Sequence, residues 1–145
     1  AYEVSNHAKK GAECLHNLIY WRYGDYAGIG PGAHGRLTLK GQKFATNAFY
    51  NPDTWLAAVE QGTGEKSAQR IDRTAQATEY LLMGLRIKDG IDLGRFENLA
   101  GAPLNIEVQT SPEDMGLLIR SDKSLKATRA GTAVLNSVIS SLLEA

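Results

Sequence analysis

The residues of this chain best suited to chemistry are crowded into positions 16–35, which read HNLIYWRYGDYAGIGPGAHG. His16 and Asn17 come first, a run of aromatic side chains follows, and the segment closes on a glycine-rich backbone around Pro31. Aromatic rings offer a broad apolar surface, and glycine lets another group approach the main chain closely. This combination is typical of a site for a flat ligand, although ordinary packing around a tight turn would use the same residues.

His16 is the residue of this segment most suited to bind a metal. The usual zinc spacings, i, i+4 on a helix or C-x-x-C, are absent among the histidines and the cysteine, which are His7, Cys14, His16 and His34. A single axial ligand to a haem iron needs only one imidazole or thiolate. His16, close to Tyr20 and Trp21, meets that looser demand. Plain packing and hydrogen bonding remain the alternative.

The glycine-rich run at residues 28–33, GIGPGA, formally matches the dinucleotide fingerprint G-x-G-x-x-A. That fingerprint requires a helix opening on the glycines, so that free amides meet a pyrophosphate. Here RLTLKG follows, which is no helical pattern, and Pro31 removes one donor. The run therefore predicts either close approach of a bulky ligand or a tight turn after a strand.

Composition narrows the class of protein. The 145 residues carry 16 basic and 16 acidic side chains, whereas a dedicated nucleic-acid binder usually has a basic excess. The basic residues Arg120, Lys123 and Lys126 lie near acidic ones, which favours a solvated face. No apolar run approaches the roughly 20 residues that span a bilayer, and no apolar leader is visible. The single cysteine is typical of a reducing compartment. We expect a cytoplasmic protein without a membrane span.

Several elements must position these residues. Tyr2 to Ser5 predicts a short strand, and residues 18–26 predict helical turns that place Tyr20, Tyr23 and Tyr26 on one side. The runs RLTL and KFAT predict a hairpin with its turn at residues 40–42, and residues 63–70 predict a polar loop.

The remainder reads as mostly helical. Asn51, Asp72, Asp92 and Thr128 are suited to cap four helices, because their side chains can accept from free first-turn amides. Residues 111–114 predict a short helical turn, and residues 117–127 predict a hairpin. Helical spacing predicts three apolar stripes: Trp55, Leu56 and Val59; Tyr80, Leu81 and Leu85, with Gly84 at a close contact; and Ala130, Val134, Leu135, Val138, Ile139, Leu142 and Leu143.

Residues 2–36 closely resemble one segment of the oxygen-independent coproporphyrinogen III oxidase-like radical SAM family, and especially its haem chaperone branch. The branch reads approximately Y-E-[IV]-S-N, then H-N-x-x-Y-W, then D-Y-x-G-I-G-x-G-A-H, and each element has a match here. Residues 79–101 and 116–143 resemble the C-terminal domain of the family more loosely. The oxidase branch does not characteristically carry H-N-x-x-Y-W, which favours the chaperone branch.

The resemblance implies an α+β fold. Residues 1–50 would be the end of a partial (β/α) radical SAM barrel, and residues 51–145 a mostly helical C-terminal domain with a winged-helix-like hairpin. Family members bind a [4Fe-4S] cluster through C-x-x-x-C-x-x-C and also bind S-adenosylmethionine. With one cysteine, this chain would generate no radical alone, and we expect it to be a fragment whose cluster segment precedes Ala1.

The resemblance also assigns site residues. It implies haem binding by His16 as iron ligand, with Asn17 as its orienting neighbour and Tyr20 and Trp21 as the wall against the macrocycle. It places the edge of the S-adenosylmethionine pocket at Gly28, Ile29, Gly30, Gly32, Ala33 and His34.

Three functions stay open at this point. The chain could be part of a chaperone that delivers haem or a related tetrapyrrole to a recipient protein, part of an oxidase that decarboxylates coproporphyrinogen III, or an interaction domain without a ligand. Whether the parent is an enzyme is undecided. Exposed aromatics such as Tyr20, Trp21 and Tyr23 predict that the N-terminal segment either associates with a second copy, which we favour, or collapses onto the helical domain.

Overall fold

A computed structural model describes residues 1–105, 113 and 115–143. Within them the chain forms six helices and six strands, which confirms the predicted α+β class. The helices are α1 (Leu15–Trp21), α2 (Pro52–Glu60), α3 (Arg73–Gly84), α4 (Leu93–Ala100), α5 (Arg129–Ala133) and α6 (Leu135–Leu143). The strands are β1 (His34–Leu39), β2 (Gln42–Ala48), β3 (Glu65–Arg70), β4 (Ile91–Asp92), β5 (Leu118–Arg120) and β6 (Ser124–Ala127).

These elements form two compact units. One, here called the sheet unit, is Gly24–Asp72. The other, here called the helical unit, combines Ala1–Tyr23 with Arg73–Ala145. The division by compactness differs from the expected boundary between residues 50 and 51, which concerns the domains of a longer parent protein and stays a prediction.

The sheet unit is built on the predicted hairpin. Strands β1 and β2 pair antiparallel, with Leu39 opposite Gln42. The turn residues Lys40 and Gly41 have φ of 51° and 74°, the two positive values that a two-residue hairpin turn of the primed type needs. Strand β3 then pairs antiparallel with β2, so the predicted polar loop at residues 63–70 is wrong. The sequence EKSAQR hides this strand because its side chains are almost all exposed and show no apolar alternation.

Helix α2 begins as predicted. The Asn51 side chain accepts from the Thr54 amide at 3.0 Å, and Pro52 occupies the first turn, where no amide is needed. Its apolar stripe is not buried, however: Leu56 is 53% and Val59 41% exposed, and Trp55 is half-buried. The apolar stripe predicted for α2 therefore lies largely exposed.

The core of the helical unit lies between α3, α4, α6 and the sheet β4-β6-β5. Gly84 ends α3 where a Cβ would overlap the Ile91 side chain, as predicted. Asp92 caps α4 by accepting from the Arg95 amide, and Gly101 closes it with a φ of 84°. The largest fully buried side chains are Leu81, Leu85, Ile91, Leu125 and Val138.

The C-terminal hairpin and closing helix also follow the prediction in outline. Strands β5 and β6 pair antiparallel, and Thr128 caps α5 by accepting from the Gly131 amide at 3.0 Å. The helix breaks at Val134, which is 45% exposed, and resumes as α6. Of the predicted stripe, four residues are buried, whereas Ala130, Val134 and Leu143 are exposed. The turn predicted at residues 111–114 lies outside the described residues, apart from Glu113.

The N-terminal segment belongs to the helical unit. The strand predicted at Tyr2–Ser5 is a single bridge between Glu3 and Ile87. Helix α1 begins earlier than predicted and ends before Tyr23, whose φ of 54° breaks the helical path. Tyr23 is 4% exposed, so its predicted exposure is wrong, and Tyr26 pairs with Arg36 instead of continuing a helical face.

Over the described stretches of the chain, no helix combines the length and the apolar character required to cross a membrane.

Candidate functional site

Helix α1 presents one outward face with an imidazole among apolar side chains. A helix turns by about 100° per residue, so residues 15, 16, 19 and 20 share one side. Leu15 is 76% exposed and Ile19 41%; His16 is also exposed, and Tyr20 is half-buried. We call Leu15, His16, Ile19 and Tyr20 the outer face of α1. It combines an imidazole, a side-chain type able to ligate a metal, with apolar surface open to solvent.

The structure brings His16 and Tyr20 together. The Tyr20 hydroxyl lies 2.6 Å from His16 Nε2, and the two rings meet edge to face with centroids 4.7 Å apart. The spacing i, i+4 on α1 makes this contact possible. Because Nε2 takes part in this hydrogen bond, any metal that binds there must replace the hydroxyl.

Trp21 lies on another side of α1. Five residues beyond His16, it points about 140° around the helix. Its ring is half-buried, with the Arg86 guanidinium carbon 4.9 Å from the ring centroid. Trp21 Nε1 is buried and finds no hydrogen-bond partner among the described residues. The structure therefore places Trp21 behind the helix, whereas His16 and Tyr20 lie in front.

Asn17 joins α1 to the N-terminal segment. Its Nδ2 donates to Asn6 Oδ1 and to the Tyr2 hydroxyl, each at 3.4 Å. Both bonds are long, which makes them weak individually. They tie the second residue of H-N-x-x-Y-W to two residues of the YEVSN segment.

Glu3, in the same segment, is a fully buried carboxylate with a complete set of donors. Its side chain is 0% exposed, and Oε1 receives Arg86 Nη2 at 2.9 Å. Oε2 accepts from the Ser5 amide and hydroxyl at 3.0 Å and from Asn6 Nδ2 at 2.6 Å. Burial raises the pKa of Glu3, but the bonds from Ser5, Asn6 and Arg86 outweigh it and hold the pKa below its ordinary value. Nothing in the sequence pointed to Arg86 as a partner of this site.

A second arginine, Arg95 of α4, binds the backbone just after the end of α1. Arg95 Nη1 donates to the Arg22 carbonyl at 2.8 Å and Nη2 to the Tyr23 carbonyl at 3.1 Å. Its guanidinium carbon lies 4.7 Å from the Tyr80 ring centroid. The two carbonyls that directly follow α1 thus accept from a cation, the charge that the C-terminal end of a helix prefers.

The glycine-rich run lies in the sheet unit, and its glycines have different roles. A Cβ on Gly28 would stand 2.6 Å from the His34 backbone, so Gly28 serves the packing of its own loop. Gly32, with φ 71°, lies under the Tyr50 ring. Gly30, with φ 104°, has nothing within 4 Å of where a Cβ would be. Of these three glycines, Gly30 is the one whose bare backbone faces open space.

The other predicted residues of this run lie around Gly30. Ile29 is 88% exposed, and His34 is exposed at the start of β1. Ala33 is half-buried, and its amide donates to the Gly30 carbonyl at 3.2 Å, which closes the turn. Its carbonyl accepts from the Ala48 amide at 2.8 Å. The run is therefore a tight turn leading into β1, with one exposed apolar side chain.

Asp25, a lone carboxylate in the sequence, is a structural residue of the sheet unit. It accepts from Lys43 Nζ at 2.9 Å and from the Thr38 amide at 2.7 Å and hydroxyl at 2.9 Å. Burial raises the pKa of Asp25, but these bonds and the charge of Lys43 outweigh it and lower the pKa. In the part of the chain that the structure describes, no group of three His, Cys, Asp or Glu side chains could hold a metal ion.

Comparison with known proteins identifies the family. Residues 71–134 match the family model described as the HemN C-terminal domain. The chain is 34% identical over 156 residues to radical S-adenosyl methionine domain-containing protein 1, mitochondrial, of Mus musculus, covering 98% of this chain and 35% of that protein. It is 32% identical over 143 residues to heme chaperone HemW of Escherichia coli K12, covering 95% and 36%. HemW of Haemophilus influenzae is 38% identical over 101 residues, covering 69% and 25%.

The fold is also found in a solved structure. Coproporphyrinogen III oxidase (HemN) from Escherichia coli, a radical SAM enzyme, matches with a TM-score of 0.56 at 15% identity, over 82% of this chain and 28% of that one. This likeness concerns the fold. The chain spans about a third of the length of the curated relatives it matches. The resemblance inferred from residues 2–36 is confirmed: the chain belongs to the coproporphyrinogen III oxidase-like radical SAM family, as a C-terminal part similar to its haem chaperone members.

Proposed function

We propose that this chain is part of a haem chaperone-like protein and that it binds haem, or a related tetrapyrrole, on the outer face of α1 for delivery to a recipient protein. The observation that carries the proposal is the exposed imidazole of His16 with Leu15 and Ile19 open beside it. Two of the bacterial relatives named above are called heme chaperones, which supports the choice of ligand.

The residues present fit such a ligand. Haem supplies an iron with open axial positions and a broad apolar face. His16 Nε2 is the candidate axial ligand, and its bond to the Tyr20 hydroxyl is exposed, so exchange requires only a side-chain rotation. Leu15 and Ile19 would cover the macrocycle, and each 100 Å² of apolar surface removed from water contributes about 2.5 kcal/mol. Tyr20 remains a wall residue in this proposal, whereas Trp21, predicted as the second wall residue, holds the helix from behind together with Asn17.

The S-adenosylmethionine and [4Fe-4S] sites are proposed for the whole protein. Gly30, with open space over its backbone, supports the assignment of residues 28–34 to the edge of a cofactor pocket. The cluster needs three cysteines, and this chain supplies Cys14 alone. A cytoplasmic location stays a prediction, since the name of the mouse relative places that protein in mitochondria.

Replacing His16 tests the haem site directly. Titration of haem into the chain should shift the Soret band, and His16→Ala should abolish the shift because the axial nitrogen is gone. His7→Ala is the matched control, since His7 is also an exposed histidine of the helical unit, and it should bind like the wild type. Far-UV circular dichroism checks that both variants fold. A Soret shift of full size in His16→Ala would refute the assignment.

The oxidase alternative requires a different measurement. The likeness to the oxidase structure, at 15% identity, concerns the fold and does not favour that activity. The whole protein, with its cluster reconstituted and S-adenosylmethionine present, should release no carbon dioxide from coproporphyrinogen III if the chaperone proposal is right. Decarboxylation of that substrate would replace the chaperone proposal with the oxidase.

A further inference from the structure

We infer that Arg86 is a positioning residue for the outer face of α1, an inference that rests on the proposed function. Its guanidinium lies over the Trp21 ring, 4.9 Å from the centroid. Trp21 projects from the side of α1 that faces away from His16. Arg86 therefore contacts the back of the helix whose front would carry the ligand.

Glu3 holds the guanidinium in place. Arg86 Nε and Nη2 both donate to Glu3 Oε1, at 3.0 and 2.9 Å. The Glu3 side chain is 0% exposed and that of Arg86 32%, so the pair is shielded from water on the carboxylate side. A buried carboxylate with all its donors in place cannot move without losing several charge-assisted bonds. The orientation of the Arg86 guanidinium against the Trp21 ring is thus fixed. Lysine has no planar guanidinium and could not reproduce this contact.

The same carboxylate reaches α1 by a second route. Asn6 Nδ2 donates to Glu3 Oε2 at 2.6 Å, and Asn6 Oδ1 accepts from Asn17 at 3.4 Å. Glu3 is therefore connected to Trp21 through Arg86 and to Asn17 through Asn6. A helix of seven residues is too short to be stable by its own hydrogen bonds. Its direction, and with it the direction of His16, must be set by contacts of this kind.

The test combines a report on Trp21 with a report on haem. The chain has two tryptophans, so Trp55→Phe leaves Trp21 as the only indole emitter. In this background, Arg86→Gln and Arg86→Lys should both shift Trp21 emission to the red and increase its quenching by acrylamide, because the guanidinium no longer covers the ring. Haem Kd should rise about tenfold, the change that corresponds to about 1.4 kcal/mol.

Two further variants keep the test decisive. Arg86→Gln leaves the Glu3 carboxylate buried without a cation, which could unfold the variant. The double variant Glu3→Gln/Arg86→Gln removes both charges and so avoids an unpaired buried charge. It should show the same loss of haem affinity with a native far-UV spectrum. Arg22→Gln is the matched control: it removes an arginine of the same region whose pair with Asp89 is exposed on both sides, and it should change neither readout.

The outcomes separate the inference from the proposed function. If Arg86→Lys restores both readouts, or if Arg86→Gln behaves like Arg22→Gln, Arg86 does not position α1. If the wild type itself shows no Soret shift, the haem proposal fails, and Trp21 emission alone decides whether Arg86 fixes the helix.

Discussion

At the scale of single residues, the buried carboxylate of Glu3 makes the stability of the helical unit depend on pH. Its pKa lies below the ordinary 4.5 because Ser5, Asn6 and Arg86 donate to the ionised form. A carboxyl with a lowered pKa stabilises the fold above its unfolded-state pKa, and this contribution is lost as the pH falls through the folded-state value. The helical unit should therefore lose stability in acid below about pH 4.5.

Glu3→Gln should remove this part of the acid dependence. At neutral pH the variant should lose about 1–3 kcal/mol of unfolding free energy, because Arg86 then faces a neutral amide. Below the folded pKa of Glu3, the wild type and the variant should converge. Urea unfolding at a series of pH values measures both effects.

The control for this experiment is Glu97→Gln, which changes an exposed glutamate on α4. It should leave the free energy of unfolding within about 0.5 kcal/mol of the wild type. If the free energy of unfolding falls in parallel for wild type and Glu3→Gln over the whole acid range, Glu3 does not cause the acid dependence.

The site residues differ in how far the sequence could reveal them. The His16–Tyr20 contact follows from their i, i+4 spacing once a helix is predicted. Arg86 could not be found in this way, because it meets Glu3 and Trp21 only through the tertiary fold. Tyr23 was misjudged for a related reason: its positive φ turns it into the core, and no local pattern announces that turn.

At the scale of elements, the packing of α5 on the backbone before β5 leaves no room for an added Cβ. Gly131 in α5 packs on the backbone at Leu117, and a Cβ there would overlap the Leu117 carbonyl oxygen. That oxygen also accepts from the Thr128 amide at 2.9 Å. The approach of α5 to the start of β5 therefore depends on glycine at this position.

Gly131→Ala should lower the free energy of unfolding by about 2–3 kcal/mol, since α5 must move away from Leu117. Gly94→Ala is the matched control, because Gly94 lies on α4 and its Cβ would meet only the Asp92 carboxylate, at 3.4 Å. It should change stability by less than about 1 kcal/mol, and in the favourable direction if helix propensity dominates. Equal effects from both substitutions in a thermal or urea melt would contradict the packing described for Gly131.

Local signals explain which elements could be predicted. Helix caps at Asn51, Asp92 and Thr128 and the turn at Lys40–Gly41 each depend on a few neighbouring residues, so the sequence contains them. Strand β3 depends on pairing with β2, which long-range contact supplies. The apolar stripe of α2 could be predicted from periodicity but its exposure could not, because periodicity shows that a face is apolar and not what covers it.

At the scale of the whole molecule, the N-terminal segment packs within the helical unit. Tyr23 joins the core of the helical unit, and Trp21 packs on Arg86, so much of the aromatic surface is covered by the chain itself. Leu15 and Ile19 stay exposed on the outer face of α1. Self-association through this remaining surface stays a prediction.

Sedimentation velocity tests it. We expect a dimer fraction that grows with concentration in the micromolar range and falls in Leu15→Gln, because this change removes the most exposed apolar side chain of the outer face. Leu56→Gln, on the exposed side of α2, is the control and should leave the dimer fraction unchanged. A single monomeric species at every concentration would rule out association by this face.

Strand β3 has a bearing on aggregation. It lies at one edge of the sheet β1-β2-β3, with Glu65, Lys66 and Arg70 exposed. An open edge can template the strand of another chain, and charged side chains oppose that pairing. The polar character that makes β3 hard to predict from the sequence thus opposes pairing of this edge with another chain, and we expect refolding from denaturant to give high recovery even from concentrated protein.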